Sequence, residues 1–347
     1  MNSRVRLHGL FLMAQLLGAA SVVAISLAPA PVPTSRCAPA ECTEWIAIGP
    51  GPARALVYRS HPLDEPDDRV RRALVVIHDI DRDAKEYFET AVMAARLAGG
   101  LDDTLVVAPR FASRDGLTCG DVLAADEVNW PCEGNSWRSG GTARGITRTS
   151  FELADEILRK LDRKNVFPDL NAVVVAGHSA GGQFVTRYQM ANRVHERLGL
   201  AVTYVVANPS SYAYPDSVRP VAVNGRTEFY APEEHACAGY NQWPYGIDDR
   251  SGYTGETSAA VLKKQLVSRP TTYLLGNRDV LPVDAFDSSC AAMVQGATRL
   301  ERGRAFAEYV NTRLGGRHRV TVVPQCGHDA RCMFTAREAL ALLFPRR

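Results

Sequence analysis

A serine flanked by glycines is the part of the chain whose residue types most directly suggest chemistry. The segment Gly177-His178-Ser179-Ala180-Gly181 follows the apolar run 172–176 and precedes a predicted helix from Gln183 to about Glu196. A strand, a sharp turn with a central serine and a helix form a nucleophile elbow, which exposes the serine hydroxyl above the sheet edge. Side chains at 177 and 181 would collide with the neighbouring strand and helix, so both positions must be small. A hydroxyl displayed in this way can attack a carbonyl carbon.

An acid and a histidine follow the serine in chain order, each just after a predicted strand. Asp279 follows the strand 271–275, and His328 follows the strand 319–323. Because the carboxyl ends of parallel strands meet at one edge of a sheet, we expect these side chains to lie near Ser179. His328 would then accept the serine proton, and Asp279 would orient the imidazole and stabilise its protonated form.

Each of these roles has an alternative. The serine turn could bind an anion without performing chemistry. Asp284 and Asp287 are close enough in the sequence to replace Asp279, which could instead close a turn. His318 precedes the last strand, whereas His328 follows it. We therefore favour Asp279 as the acid and His328 as the base.

The elements that must position these residues alternate along the chain. Alternating strands and helices favour a mostly parallel central sheet with helices on both faces. Two initial strands, 44–48 and 54–58, flank a Gly-Pro-Gly-Pro turn and are predicted to be antiparallel. The other predicted strands are 73–78, 104–108, 172–176, 201–207, 271–275 and 319–323. The other predicted helices are 83–98, 149–162, 257–266, 299–314 and 336–343.

Two long insertions follow predicted strands, at about residues 110–145 and 209–253. Both are rich in aromatic residues, which can line an acyl or aromatic pocket. We expect Trp137 and Tyr212 to contribute to a substrate pocket, together with His178 of the elbow. The alternative is that these aromatic residues pack the insertions onto the domain.

The order of serine, acid and histidine resembles that of the α/β-hydrolase superfamily, and the resemblance covers nearly all of residues 43–347. A narrower similarity is to exported bacterial serine esterase-like hydrolases. The segments that carry it are 76–78 with Tyr87-Phe88, 208–212 and 327–329. The resemblance implies an α/β-hydrolase fold with Ser179, Asp279 and His328 as the catalytic residues. It also implies an oxyanion hole made by the backbone N–H groups of Ile80 and Ala180, although this chain has His78-Asp79 where the superfamily often has His-Gly.

The N-terminus has the pattern of an export signal. Two arginines at positions 4 and 6 precede an uncharged, mainly apolar stretch, 10–28, and the small residues 28–30 resemble a cleavage site. We predict a signal peptide at 1–30, a short linker at 31–42 and one α/β-hydrolase domain at 43–347. A retained membrane anchor is the alternative. Cleavage would leave no stable membrane insertion and a secreted or periplasmic protein.

Eight cysteines follow the predicted signal peptide. An even number in an exported chain indicates disulfides. Short loops favour the pairs Cys37–Cys42, Cys119–Cys132 and Cys326–Cys332, which leaves Cys237–Cys290. Zinc binding is the competing interpretation, but no cysteine pair has the Cys-x-x-Cys spacing of a zinc site.

Charge and motifs together favour an enzyme acting on carboxylic esters. The formal net charge of +2 gives no indication of a nucleic-acid partner. The predicted chemistry is cleavage of a small-molecule or polymeric ester through an acyl-enzyme, and it requires no metal or organic cofactor. A serine peptidase or amidase on the same fold and a non-catalytic exported binding protein are the alternatives.

Overall fold

The computed structural model describes residues 42–116, 119–133, 136–233 and 237–345. Within these ranges, the strands are β1 (Thr43–Ala47), β2 (Arg54–Arg59), β3 (Arg72–Ile77), β4 (Thr104–Pro109), β5 (Ala172–His178), β6 (Ala201–Ala207), β7 (Arg219–Val223), β8 (Arg226–Tyr230), β9 (Thr271–Gly276) and β10 (Arg319–Val323). The helices are α1 (Ala84–Leu97), α2 (Ser150–Leu161), α3 (Ala180–Ala191), α4 (Gly252–Gly255), α5 (Ala259–Ser268), α6 (Cys290–Met293), α7 (Arg299–Arg313), α8 (Ala330–Thr335) and α9 (Arg337–Leu343). Short 3₁₀ turns occur at Trp137–Ser139 and His195–Arg197.

Eight strands form one sheet in the order β1-β2-β4-β3-β5-β6-β9-β10. The pairs β1–β2 and β2–β4 are antiparallel, and all other neighbours are parallel. The central strands are almost continuously apolar because helices cover both of their faces. The predicted fold class, a mostly parallel sheet between helices, is therefore confirmed, as is the antiparallel start.

Alternate residues of each central strand enter different apolar cores, because successive strand side chains point to opposite faces. In β3, Val75 and Ile77 belong to a core shared with α2, α3, α5 and α7. Leu74 and Val76 belong to a second core shared with α1, α8 and α9. The sheet is therefore packed against helices on both faces.

Helix α3 differs from its predicted range. It begins at Ala180, directly after the elbow, and ends at Ala191 rather than near Glu196. A Cβ atom at Gly182 would lie within 3.0 Å of the Ala207 carbonyl, so this part of the helix packs directly against β6. The helix ends because the Asn192 side chain accepts hydrogen bonds from the backbone of the next turn, at Val194 and His195.

A separate two-stranded sheet in the second insertion was not predicted. Strands β7 and β8 are antiparallel, with Val223 opposite Arg226. The two residues between them, Asn224 and Gly225, have φ of +50° and +75°. An Asn-Gly pair with two positive φ values is the typical two-residue hairpin turn, so the sequence did contain a signal for this hairpin.

Three of the four predicted disulfides are present: Cys119–Cys132, Cys237–Cys290 and Cys326–Cys332. The fourth predicted pair includes Cys37, which lies outside the described residues, as do the predicted signal peptide and nearly all of the predicted linker. The Cys326–Cys332 bridge closes the loop that carries His328.

Candidate active site

The elbow at Ser179 has the strained geometry that its sequence implies. Ser179 has φ of +55° and ψ of −118°, a conformation that residues with a Cβ rarely adopt. A Cβ atom at Gly177 would lie within 3.0 Å of the Gly181 carbonyl, and one at Gly181 would come as close to the carbonyls of Ile77 and His78. The two glycines are therefore required by close backbone approach, as predicted.

Ser179, His328 and Asp279 form a continuous chain of hydrogen bonds. The Ser179 hydroxyl oxygen lies 2.9 Å from His328 Nε2, and His328 Nδ1 lies 2.7 Å from Asp279 Oδ2. Since the carboxylate can only accept, Nδ1 carries a proton and Nε2 is free to accept the hydroxyl proton. Relative exposures of 6% for Ser179 and 2% for Asp279 show that these hydrogen-bonded side chains are largely shielded from water.

The rival acid and base residues lie elsewhere. Asp287 accepts a hydrogen bond from the Tyr245 hydroxyl at 2.8 Å, and Asp284 is exposed. His318 is buried between Tyr273 and the end of α5, and burial lowers its pKa to about 4. None of the three is hydrogen-bonded to the serine–histidine pair.

Arg299, the first residue of α7, was not identified from the sequence. Its guanidinium is fully buried, and Nη1 lies 3.4 Å from Asp279 Oδ1. It also donates to the Ser210 hydroxyl and to the carbonyl of Val283. The positive charge compensates the buried Asp279 carboxylate. A single arginine at the start of a polar helix gives no sequence pattern that would reveal this role.

Asn208 joins the loops that carry the acid and the histidine. Its Oδ1 accepts a hydrogen bond of 2.9 Å from the N–H of Gly276, and its Nδ2 donates to the Gly327 carbonyl at 3.2 Å. Asn208 is fully buried and has φ of +44°, a backbone conformation that asparagine tolerates better than most residues. The loops after β9 and β10 are thereby held at a fixed separation.

The loop after β3 passes directly against the elbow. Beneath it, His78 is fully buried, with Nδ1 donating to the Asp79 carbonyl and Nε2 accepting from the N–H of Phe111. Burial lowers the pKa of His78 to about 4, so the imidazole is neutral at physiological pH. Ile80 lines the same cleft as Ser179, and Ala180 begins α3, so both predicted oxyanion-hole residues lie beside the serine.

His178 lines this cleft, as predicted, and packs against the histidine of the hydrogen-bonded chain. The His178 and His328 rings have centroids 4.5 Å apart. His178 Nδ1 lies 3.2 Å from the Tyr87 hydroxyl, and burial holds the pKa of His178 well below its usual range. A neutral ring therefore covers one face of His328.

The other two predicted pocket residues lie in the core. Trp137 is fully buried and stacks on Phe111, with ring centroids 5.2 Å apart. Tyr212 is fully buried and stacks on Phe306 at 4.6 Å. Neither lines the cleft beside Ser179, so the prediction for Trp137 and Tyr212 is corrected: these aromatic residues attach the insertions to the domain.

The cleft has a volume of about 1140 Å³. Its walls are the loop after β3, one face of α1, the elbow and the loop after β10. Ser179, His178 and His328 also line the cleft. Ser179 and His328 thus border a cavity with room for a molecule of moderate size.

A family model described as the alpha/beta hydrolase family matches residues 74–341. The chain belongs to this family. A comparison with curated protein sequences gives no match. Among solved structures, the chain resembles a poly(3-hydroxybutyrate) depolymerase from Bordetella parapertussis with 22% identity and a TM-score of 0.58, covering 85% of each chain.

A second similar structure is poly(aspartic acid) hydrolase-1 from Sphingomonas sp. KT-1. Its identity to this alpha/beta hydrolase is 22% and its TM-score 0.61, covering 87% of this chain and 97% of the other. At this identity, both similarities concern the fold alone. The family match over residues 74–341 confirms the predicted superfamily and its fold.

Proposed function

We propose that this alpha/beta hydrolase is an exported serine hydrolase that cleaves carboxylic esters through an acyl-enzyme on Ser179. The observation that carries the proposal is the position of His328. Its Nε2 lies 2.9 Å from the Ser179 hydroxyl while its Nδ1 lies 2.7 Å from Asp279. A nucleophile, a base and a residue that orients the base are the parts that this chemistry requires.

Acylation begins when the Ser179 oxygen attacks the ester carbonyl carbon. His328 Nε2 takes the hydroxyl proton, and Asp279 stabilises the resulting imidazolium. The tetrahedral intermediate collapses as the bond to the alcohol oxygen breaks, and the imidazolium gives its proton to the departing alcohol. The acyl group remains bonded to Ser179.

Two backbone groups are available to stabilise the oxyanion of this intermediate. The N–H of Ala180 belongs to the first turn of α3, where the helix dipole favours negative charge. The N–H of Ile80 belongs to the loop that packs against Gly181. A donor of this kind contributes a factor of about 10² in rate.

Deacylation repeats the same steps with water as the nucleophile. His328 takes a proton from the water molecule, the hydroxide adds to the acyl carbon, and the bond to Ser179 breaks as the serine regains its proton. The products are a carboxylic acid and an alcohol. The substrate is a small-molecule or polymeric ester, and no cofactor takes part in these steps.

Export is the second part of the proposal. Disulfides persist in oxidising compartments, and three are present among the described residues. In the part of the chain that the structure describes, no helix combines the length and the apolar character needed to cross a membrane. The disulfides support export, and cleavage of the N-terminal signal remains part of the proposal.

Covalent labelling tests the nucleophile independently of the natural substrate. A fluorophosphonate probe should label Ser179, and Ser179→Ala should abolish labelling and p-nitrophenyl butyrate hydrolysis. The matched control is Ser268→Ala, which removes an exposed serine outside the cleft. Retention of more than a few per cent of activity in Ser179→Ala would contradict the proposal. Faster cleavage of a peptide p-nitroanilide than of the ester would favour the amidase alternative.

A further inference from the structure

The cleft beside Ser179 is strongly acidic on one side. Five carboxylic residues of its wall come from the loop after β3 and from α1: Asp79, Asp81, Asp83, Glu86 and Glu89. Asp284 and Asp329 line it from two other loops, against two arginines, Arg96 and Arg331. The whole chain has 40 basic and 38 acidic residues, so this imbalance is local to the cleft.

Arg96 lies far along α1 from the carboxylates of the loop after β3. A helix rises 1.5 Å per residue, so Arg96 is about 10 Å beyond Glu89 along α1. Arg331 approaches Met93, near the same end, with 3.6 Å between Nη2 and the Met93 sulfur. The separation of Arg96 from Glu89 is about one Debye length at physiological salt, and the loop after β3 is farther away, so Arg96 does little to neutralise the carboxylates of that loop.

The nearest cations are also committed elsewhere. Arg82, the one basic residue in the loop after β3, pairs with Asp121 at 2.6 Å and does not line the cleft. Lys85 is 3.8 Å from Glu89. No ion pair of Glu86 is found within the described residues, and its side chain is exposed.

A second observation concerns the carboxyl groups closest to the serine. Burial and the neighbouring Asp79 carboxylate raise the pKa of Asp83, and Asp83 Oδ1 is buried without a hydrogen-bond partner within the described residues. Tyr87 lines the same cleft as these carboxyl groups, and its hydroxyl lies 3.2 Å from His178 Nδ1. These carboxyl groups therefore lie in the same cleft as Ser179 and His328. One of their oxygen atoms, Asp83 Oδ1, has no hydrogen-bond donor within the described residues.

We infer that the substrate carries a cationic group, an amine or a quaternary ammonium, within a few bonds of the scissile carbonyl. This inference rests on the proposed function, because the cleft is identified as a substrate site by Ser179 and His328. A cation bound beside Asp79, Asp83 and Glu86 would compensate negative charge that the neighbouring arginine and lysine side chains of the described residues do not balance. A polyanion such as poly(aspartic acid) would be repelled by the same wall.

Esters that differ in charge but scarcely in shape test the inference. One pair is butyrylthiocholine and the neutral thioester in which carbon replaces the quaternary nitrogen. The other pair is the p-nitrophenyl esters of N-acetyl-lysine and N-acetyl-norleucine. In at least one pair, kcat/KM should be about tenfold higher for the cation at low salt, and the difference should shrink as salt is added.

A conservative variant localises the effect. Glu86→Gln keeps the shape of an exposed side chain outside the hydrogen-bonded chain, and it should lower the ratio of kcat/KM for the cationic over the neutral ester about threefold. The matched control is Glu308→Gln, on the exposed face of α7. Equal effects of the two substitutions would overturn the placement of the cation.

The pH dependence of the preference adds a readout that is independent of the chemical step. Burial and the neighbouring Asp79 raise the pKa of Asp83 to about 7. The ratio of kcat/KM for cationic over neutral ester should therefore rise from about pH 6 to about pH 8, and any ionisation that affects both esters equally cancels from the ratio. Glu86 also raises the pKa of Asp83, and Tyr87 and Asp329 line the same cleft.

The outcomes separate this inference from the proposed function. Ser179-dependent cleavage that is equal or faster for the neutral ester in both pairs would overturn the cationic substrate and leave the serine hydrolase standing. Absence of any Ser179-dependent turnover and of fluorophosphonate labelling would overturn both.

Discussion

Arg299 is the residue whose importance is least visible from the sequence and clearest from the structure. It is buried against Asp279, the residue proposed to orient His328. Removing one partner of a buried ion pair leaves the other charge uncompensated, which costs more than the pair itself contributes. Arg299 is therefore a positioning residue that acts through Asp279.

Substitution of Arg299 tests this role. Arg299→Leu should lower the free energy of unfolding by about 3–5 kcal/mol and reduce kcat more than it raises KM, because Asp279 would no longer hold the imidazole. The matched control is Arg304→Leu, an exposed arginine on the same helix. Urea unfolding and steady-state kinetics on p-nitrophenyl butyrate measure both effects. A change of similar size in Arg304→Leu would rule out a specific contact.

The sequence identified the residues with a distinctive context and missed those without one. Ser179, Asp279 and His328 each follow a strand, so their meeting could be predicted from topology. Asn208 also follows a strand, but its role depends on two backbone groups from other loops, at Gly276 and Gly327. Such contacts depend on loop conformation, which the pattern of residue types does not encode.

At the scale of elements, the disulfide between Cys326 and Cys332 defines the histidine loop. It spans only six positions and brackets His328. Loop-closure entropy assigns a bridge of this size about 2 kcal/mol, against about 3 kcal/mol for the 13-position bridge between Cys119 and Cys132. The two bridges thus stabilise the folded protein by similar free energies, but only the Cys326–Cys332 bridge is close to His328 in the sequence.

This comparison makes a prediction about loss of the bridge. Replacing Cys326 and Cys332 by alanine should lower activity at least several-fold with a modest fall in melting temperature. The reason is that this bridge mainly restricts the loop that positions His328. The double alanine variant at Cys119 and Cys132 should lose as much stability and retain more activity. Melting curves and ester kinetics of the two double variants measure these effects. Equal losses of activity in the two variants would contradict a positional role for the Cys326–Cys332 bridge.

Strand boundaries were predicted well, whereas the insertions were not. Strands β6 and β10 were predicted to the residue because turn-forming or charged residues bound an apolar run on each side. The aromatic residues of the insertions gave the wrong expectation for Trp137 and Tyr212. An aromatic residue in an insertion can line a pocket or pack in a core. The sequence does not show which neighbours the ring contacts, so it does not distinguish the two.

For the whole molecule, buried histidines link stability to pH. His318 donates from Nε2 to the Leu266 carbonyl and accepts at Nδ1 from the Tyr273 hydroxyl, and burial lowers its pKa to about 4. An unfolded histidine has a pKa of about 6.5. The unfolded state therefore binds the proton more readily, and the stabilisation is lost as pH falls from about 6.5 towards 4.

A variant that cannot titrate isolates this contribution. His318→Gln should be less stable than the natural protein at pH 7, but its free energy of unfolding should fall less between pH 6.5 and 4.5. A shift from 6.5 to about 4 corresponds to about 3 kcal/mol at the limit. Asp155, whose pKa burial raises to about 6, acts in the opposite sense and is unchanged in the variant. Parallel curves of urea stability against pH would contradict the assignment.

The bridge beside His328 has a consequence for when the protein works. Reducing compartments keep cysteines as thiols, so a newly made chain would hold its histidine loop less firmly until oxidation. If the protein is exported as proposed, its activity should be several-fold lower before the bridge forms and should rise after the chain has left the cytosol. The same two sulfur atoms that order the loop of His328 would then also limit cleavage of substrates inside the cell that makes the protein.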